Sequence, residues 1–291
     1  MTVQFSSAQH LNGFPRSVAL RKKASVFAIV LVWFFSACNA WALDAATGTG
    51  SEIMREVDRL HDVDMEMTSL TMTLTDSKGV ETVRGLRQLR RRFDDGLVRT
   101  LMVIDEPAGV RGTAVLTWEN KGSADDQWTY LPALGRLKRI VGSGKQSYFL
   151  GTDFTHEDFE TEERSEFDYQ RQADGMIDEK PCYIVDARPI SDEAKEDSGY
   201  SKRRIYIDQA HLAIVRIEFF RRADDALIKT LDVVAFDDLG GGRLRAKTSI
   251  MRNDDLNHST KLEVVSRDTS EAGVPVEAFT PNYLTSNQHL R

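Results

Sequence analysis

"SLTMTLTD", residues 69–76, decides the fold class: Leu70, Met72 and Leu74 alternate with Thr71, Thr73 and Thr75. A period of two sends successive side chains to opposite faces of an extended chain, so the stretch predicts a strand with one apolar and one polar face. Ser77-Lys78-Gly79 then turns the chain, and Asp95-Gly96 inside "VETVRGLRQLRRRFDDGLVRTLMVIDEP" is a hairpin signal that predicts two more antiparallel strands.

Toward the C-terminus, the same strand pattern holds for "TAVLTWEN", "DQWTYLP", "RLKRIV", "FDYQRQA", "KPCYIVDAR", "SKRRIYID", "LAIVRIEFFRR", "LIKTLDVVAFDDL", "GRLRAKTSIMR" and "HSTKLEVVSR". Gly, Asp, Asn or Pro punctuates nearly every gap. About a dozen hairpin-spaced strands without alternating helices predict an antiparallel meander, and a twisted sheet of that width curls. Toward the N-terminus, "SEIMREVDRLHDV" (51–63) spaces Ile53, Val57 and Leu60 at the helical period, with Ser51 as N-cap and Glu52 in the first turn.

Residues 1–42 carry Arg16, Arg21, Lys22 and Lys23, no acidic residue, and the apolar run "ASVFAIVLVWFF" (24–35). This is the order of a secretory signal peptide, and the run is shorter than the roughly 20 residues that span a bilayer. Ala40-Trp41-Ala42 predicts cleavage after Ala42, leaving 43–291 as one domain in the periplasm. "FSAC" (35–38) gives the alternative of a lipoprotein anchored at Cys38. The paired arginines of a folded-export signal are absent, so export before folding is expected.

Taking those four cations from the chain's formal −7 gives −11 for residues 43–291, a charge that argues against a nucleic-acid partner. Cys182 is the one cysteine after residue 42, so no intramolecular disulfide closes within 43–291. Its place in a strand pattern reads as a small buried hydrophobe. Arg84, Arg87, Arg90, Arg91 and Arg92 read as long cations covering apolar surface on an edge-facing strand; contact with an anionic headgroup is the alternative.

Catalytic chemistry is not written here. His61, His156, His211, His258 and His289 are never three to five residues apart, and HExxH, CxxC and GxSxG are missing. "GSGK" (142–145) lacks the upstream Gly and the downstream Ser/Thr of a phosphate loop. In "SYFLGTDFTHEDFETEE" (147–163), Asp153, His156, Glu157 and Asp158 invite a metal reading, but their spacing matches no defined ligand loop and Phe149, Phe154 and Phe159 interrupt it. Turn capping and pairing with Arg136, Lys138 and Arg139 is the preferred reading, with no cofactor expected and no enzymatic role.

Taken together, "VRGTAVLTWEN", "DDQWTYLPALGRLKRIVGSGKQSYFLGTDFTHEDF", "GYSKRRIYID" and "FTPNYL" resemble the LolA-like outer-membrane lipoprotein-sorting family of Gram-negative bacteria, over nearly all of 51–285. The most specific block is Trp128 to Leu134, Arg136 to Ile140, and Phe149 to Asp158. His156 stands where the family carries an aromatic, usually tyrosine, which weakens the metal reading further.

The resemblance implies an incomplete β-barrel covered by helices and a non-enzymatic carrier of a lipid or of lipoprotein acyl chains. This branch resembles partners of resistance–nodulation–division export pumps, which implies an inner-membrane transporter and transient membrane contact; a non-carrying adaptor of such a complex is the second reading. Met72, Leu74, Met102, Leu116, Trp118, Trp128, Tyr130, Ile140, Phe149 and Phe154 are the expected cavity residues. Residues 147–159 are the expected latch at its mouth, held by Asp153 and Asp158 on Arg136 or Arg139.

Overall fold

The computed structural model describes residues 47–160 and 164–290. The expected signal peptide, its cleavage site and Cys38 lie outside the described residues, which belong to one contact unit running Leu43–Arg291.

Helix α1 (Gly50–His61) begins two residues earlier than expected. Thr49, not Ser51, is its N-cap, because Thr49 and Glu52 form a reciprocal capping box, while Ile53, Met54 and Val57 are its buried stripe. Fourteen strands follow. They are β1 (Met65–Thr75), β2 (Glu81–Arg92), β3 (Val98–Glu106), β4 (Ala114–Trp118), β5 (Asp126–Leu131), β6 (Arg136–Ile140), β7 (Phe167–Arg171), β8 (Gly175–Ile177), β9 (Lys180–Pro189), β10 (Tyr200–Asp208), β11 (Ile214–Arg221), β12 (Leu227–Asp238), β13 (Leu244–Asn253) and β14 (His258–Asp268). Two short helices, α2 (Asp192–Asp197) and α3 (Pro281–Thr285), complete the set.

All strands join one antiparallel sheet in the order β6-β5-β4-β3-β2-β1-β14-β13-β12-β11-β10-β9-β7, with β8 also on β9. The sheet is not closed: its edges are β6 and β7, successive in the chain, and the first and last strands pair at its centre. A meander in which β1 meets β14 therefore puts the seam of the barrel at the connection between residues 140 and 167. The short β8 was not foreseen, since three residues carry no readable alternation.

Register assigns the faces, because residues directly opposite in neighbouring strands point the same way. Leu70 pairs Leu86 and Val264, Met72 pairs Arg84 and Leu262, and Leu262 pairs Ser249. This line defines an inner face, continued by Met251, Leu231, Ile217 and Ile205. β1 obeys its sequence strictly, each inward residue from Glu66 to Leu74 being buried and each outward one half-buried.

Both faces of β1–β6 are covered. On the inner side Phe149 packs with Leu70, Met72, Leu86, Met102 and Val115. On the outer side the C-terminal segment lays Val274, Ala278, Phe279 and Leu284 over Leu89, Leu101, Leu116 and Tyr130. That cover is tied down by Trp118 Nε1 donating to the Phe279 carbonyl at 2.9 Å and by Tyr130 OH to Asn287 Oδ1 at 2.9 Å. α1 covers the inner side of the other half, packing on Tyr183, Val185, Ile205 and Ile207.

β2 is central, paired with β1 and β3, so its arginines do not guard an edge. Register divides them: Arg84 and Arg90 lie on the inner face with Met72 and Glu66, whereas Arg87 and Arg91 lie outward with Ser69 and Met65. The outward pair anchors the C-terminal segment, Arg91 donating to the Val274 carbonyl at 2.9 Å and Arg87 to that of His289.

Candidate functional site

The site is built where the seam segment meets α1 above the inner face. Leu150 (φ 47°) and Gly151 (φ 75°) make a left-handed turn, so that Tyr148 bridges Thr155 and the Phe149 amide donates to the Phe154 carbonyl at 2.8 Å. Residues 156–159 form a 3-10 turn whose capping box joins Thr155 and Asp158. This tight hairpin drives Phe149 into the sheet, where it is 1% exposed, with Phe154 and Phe159 beside it.

The carboxylates are pins. Asp153, fully buried, accepts from Thr260 Oγ1 at 2.7 Å and meets His258 Nδ1 at 2.8 Å. Asp158 meets Lys229 Nζ at 2.5 Å and accepts from Tyr200 OH at 3.1 Å. Lys229, also fully buried, donates to the Asp153 carbonyl at 3.1 Å and sits against the Phe219 and Tyr200 rings. Glu157 accepts from Arg203 at 2.7 Å and from the Gly199 amide at 3.0 Å, although burial raises its pKa.

These pairs replace the expected ones. Arg139 lies opposite Trp128, on the outer face, and binds Asp126 instead; Arg136 is exposed on the edge strand. Neither holds Asp153 or Asp158. His156 Nδ1 meets Gln127 Oε1 at 2.9 Å, and Gln127 Nε2 donates to the His156 carbonyl at 2.9 Å. Burial lowers the His156 pKa. Among the described residues no three His, Cys, Asp or Glu side chains group as a metal site requires. Cys182 is buried, and burial raises its thiol pKa.

Between α1 and this hairpin the inner face stays open. A cavity of about 210 Å³ is bordered by Met54 of α1, by Phe154, and by Ile205, Ile217 and Leu231 of the sheet. Phe219 and Met251 close its floor, and Glu157, Glu160 and Arg203 its rim. Arg164 and Ile214 are shared with a second cavity of about 480 Å³, lined also by Val57, Val98, Arg90 and Arg92. Arg245 links that one to a third, of about 220 Å³, over Leu70, Leu262 and Val264. The three form a trough along the sheet whose central member falls in the size range of small-molecule sites.

The expected cavity residues divide by face. Phe154 borders the apolar cavity. Met72, Leu74, Met102, Phe149 and Ile140 are buried on the inner side beneath the seam segment. Leu116, Trp118, Trp128 and Tyr130 belong to the outer side, under the C-terminal cover, with the two tryptophan rings 5.1 Å apart edge to face. These four do not share a surface with Met72. Sequence reasoning misses Met54, Ile205, Ile214, Ile217, Leu231 and Met251: the strand patterns of "RRIYID" and "LAIVRIEFF" show that Ile205, Ile214 and Ile217 sit in strands but not which cover lies over them, and nothing local marks the other three.

A family model described as an uncharacterised protein matches residues 96–286. An outer-membrane lipoprotein-sorting domain from Vibrio parahaemolyticus superposes with a TM-score of 0.75 at 28% identity, covering 81% of this chain and 98% of that one. This chain belongs to the LolA-like lipoprotein-sorting family. A DUF1329 family protein from Desulfovibrio piger (TM-score 0.74, 23% identity, 81% and 97% covered) and a LolA superfamily protein from Nitrosomonas europaea (0.64, 19%, 81% and 100%) share its fold. A search of curated proteins gives no match. In this LolA-like chain, as the sequence predicts, the sheet is large, antiparallel and unclosed.

Proposed function

We propose that the protein is a periplasmic carrier that binds the acyl chain of a lipid or lipoprotein in the trough beneath α1 and the 147–160 hairpin. The observation that supports it is the cavity walled by Ile205, Ile217, Leu231 and Met251, left unfilled between α1 and the hairpin on the inner face. The V. parahaemolyticus relative, named for lipoprotein sorting, points the same way.

Energetics suit a shuttle. Burying a methylene is worth about 0.8 kcal/mol, so a sixteen-carbon chain gains roughly 13 kcal/mol gross before the costs of association. Cargo held that firmly leaves only if a cover moves. α1 is a separate element packed on the sheet, so it can lift without unpairing strands, whereas the hairpin is held by its buried carboxylate pins. An inner-membrane transporter of the resistance–nodulation–division type is the proposed partner that opens the trough, with transient membrane contact at hand-over.

Lipid extraction and mass spectrometry of protein purified from the periplasm tests the reading, together with binding of a fluorescent fatty acid to Ile217→Asp. A charged group in that wall wets the surface that must exclude water. The expected result is co-purified acyl lipid and loss of probe binding by a variant that still melts cooperatively. Protein that carries no lipid and binds no probe would favour the adaptor reading.

A further inference from the structure

One of the two edge strands has a cover. Residues 48–50 lie against β7, Arg171 donating to the Gly48 carbonyl at 2.9 Å and Gly50 so close to the Tyr169 and Arg171 backbone that it has no room for a Cβ. β6 pairs with β5 alone, and Ala133 to Arg139 are exposed except for half-buried Leu137. An edge strand turns every second N–H and C=O outward, where another strand can take them up. We propose that the outer edge of β6 is a docking site for an acidic extended segment of a partner protein, which joins the sheet as an additional strand. The inference goes beyond the carrier reading and holds equally for an adaptor.

Charge selects the occupant. Arg136, Lys138 and Arg139 stand on this strand, and Arg139 meets Asp126; among the described residues Arg136 and Lys138 enter no ion pair. A second copy pairing edge to edge would set cations beside cations, which opposes it. An acidic strand is attracted here and repelled by a chain whose formal charge is −7, so the edge also fixes where it lands. Register gives the pattern it reads. Lys138 lies opposite Thr129 and Arg136 opposite Leu131 on the inner side, while Leu137 lies opposite Tyr130 on the outer side. The added strand therefore presents acidic residues two apart, with an apolar residue between them beside Leu137. Leu134, 63% exposed, and Val141, 58% exposed, extend the apolar contact at either end.

Fluorescence anisotropy with three short labelled peptides, whose cores read Glu-Val-Glu, Lys-Val-Lys and Glu-Pro-Glu, tests this on the purified protein. The parent should bind the first alone, and less tightly as salt rises. Proline keeps the charges but removes a strand donor. The double variant Arg136→Glu/Lys138→Glu alters two exposed side chains outside the trough, so its melting temperature and fatty-acid binding should match the parent's. Its affinity for the acidic peptide should fall about tenfold, as the loss of two exposed ion pairs allows. With that peptide bound, hydrogen exchange should slow across 134–141 and not in β7.

Equal binding of the acidic and basic peptides, or of the proline peptide, leaves no added strand and overturns the proposal. So does unchanged affinity in the folded double variant, or protection of β7 instead of β6. Failure of the acidic peptide on the parent overturns it as well; flotation of the parent, but not of the double variant, with phosphatidylglycerol vesicles would then assign the edge to a lipid surface. The carrier reading is tested separately, by probe binding in the trough.

Discussion

Lys145 is nearly fully buried and faces two carboxylates, Glu160 at 3.0 Å and Asp197 at 3.1 Å. One cation cannot neutralise both. Burial, with Asp125 and Glu157 nearby, raises the Glu160 pKa to about 8 against the pull of Lys145. The unfolded chain ionises this carboxyl near the ordinary value of 4.5, while the folded one keeps its proton to about 8. Between those limits the folded state binds more protons, so the free energy of unfolding falls as pH rises. Urea denaturation across that window should show a declining stability that flattens in Glu160→Gln; equal slopes in parent and variant would contradict the assignment. Since Glu160 rims the apolar cavity, the same proton sits beside the proposed cargo.

At the scale of elements, α1 is held so close to the sheet that its first residue has to be glycine. A Cβ at Gly50 would lie 2.4 Å from the Tyr169 carbonyl oxygen and 3.0 Å from the Arg171 amide, both backbone atoms of β7. Glycine to alanine in a helix ordinarily stabilises by roughly 0.5–1 kcal/mol. Here Gly50→Ala should lower the melting temperature, because α1 or β7 must shift, and should loosen α1 first. Hydrogen exchange resolved by peptide checks this: faster exchange in 50–61 than in β1–β3 is expected, and a raised melting temperature refutes the contact. Strand existence was legible because Leu70, Met72 and Leu74 keep period two. Face assignment was not. In β4, Ala114 to Thr117 are all buried, since a cover lies on each side, and the sequence then shows an apolar run that fits either face. Trp118, Trp128 and Tyr130 are expected in the cavity because aromatic side chains suit a deformable apolar pocket, yet their register puts them on the outer face. Pairing of Asp153 and Asp158 with nearby arginines failed similarly: His258 and Lys229 come from strands some 70 to 105 residues away, and no local pattern announces them.

For the whole molecule, the pairing of β1 with β14 makes the centre of the sheet its most constrained part and leaves β6 and β7 as free edges at the seam. The covers differ accordingly. The C-terminal segment is nailed to the outer face by side-chain bonds from Trp118, Tyr130, Arg87 and Arg91. The hairpin is pinned to the inner face through Asp153, Asp158 and Glu157, but both it and α1 also flank open volume there. A ligand in the trough should therefore act on one face only. Anything that binds the folded state alone stabilises it by RT ln(1 + [L]/Kd), about 2.7 kcal/mol at a hundredfold excess over Kd, which for a domain of this size is a rise in melting temperature of roughly 5–10 °C. With a fatty acid at that excess, exchange should slow in α1, in the 147–160 hairpin and along β10–β12, where Ile205, Ile217 and Leu231 point inward. It should stay unchanged in residues 274–290, which share no surface with the trough. Slowed exchange confined to the C-terminal segment and β4–β5 would move the binding site to the outer face, beneath Trp118 and Trp128, and the trough would then be a packing defect of an unclosed sheet.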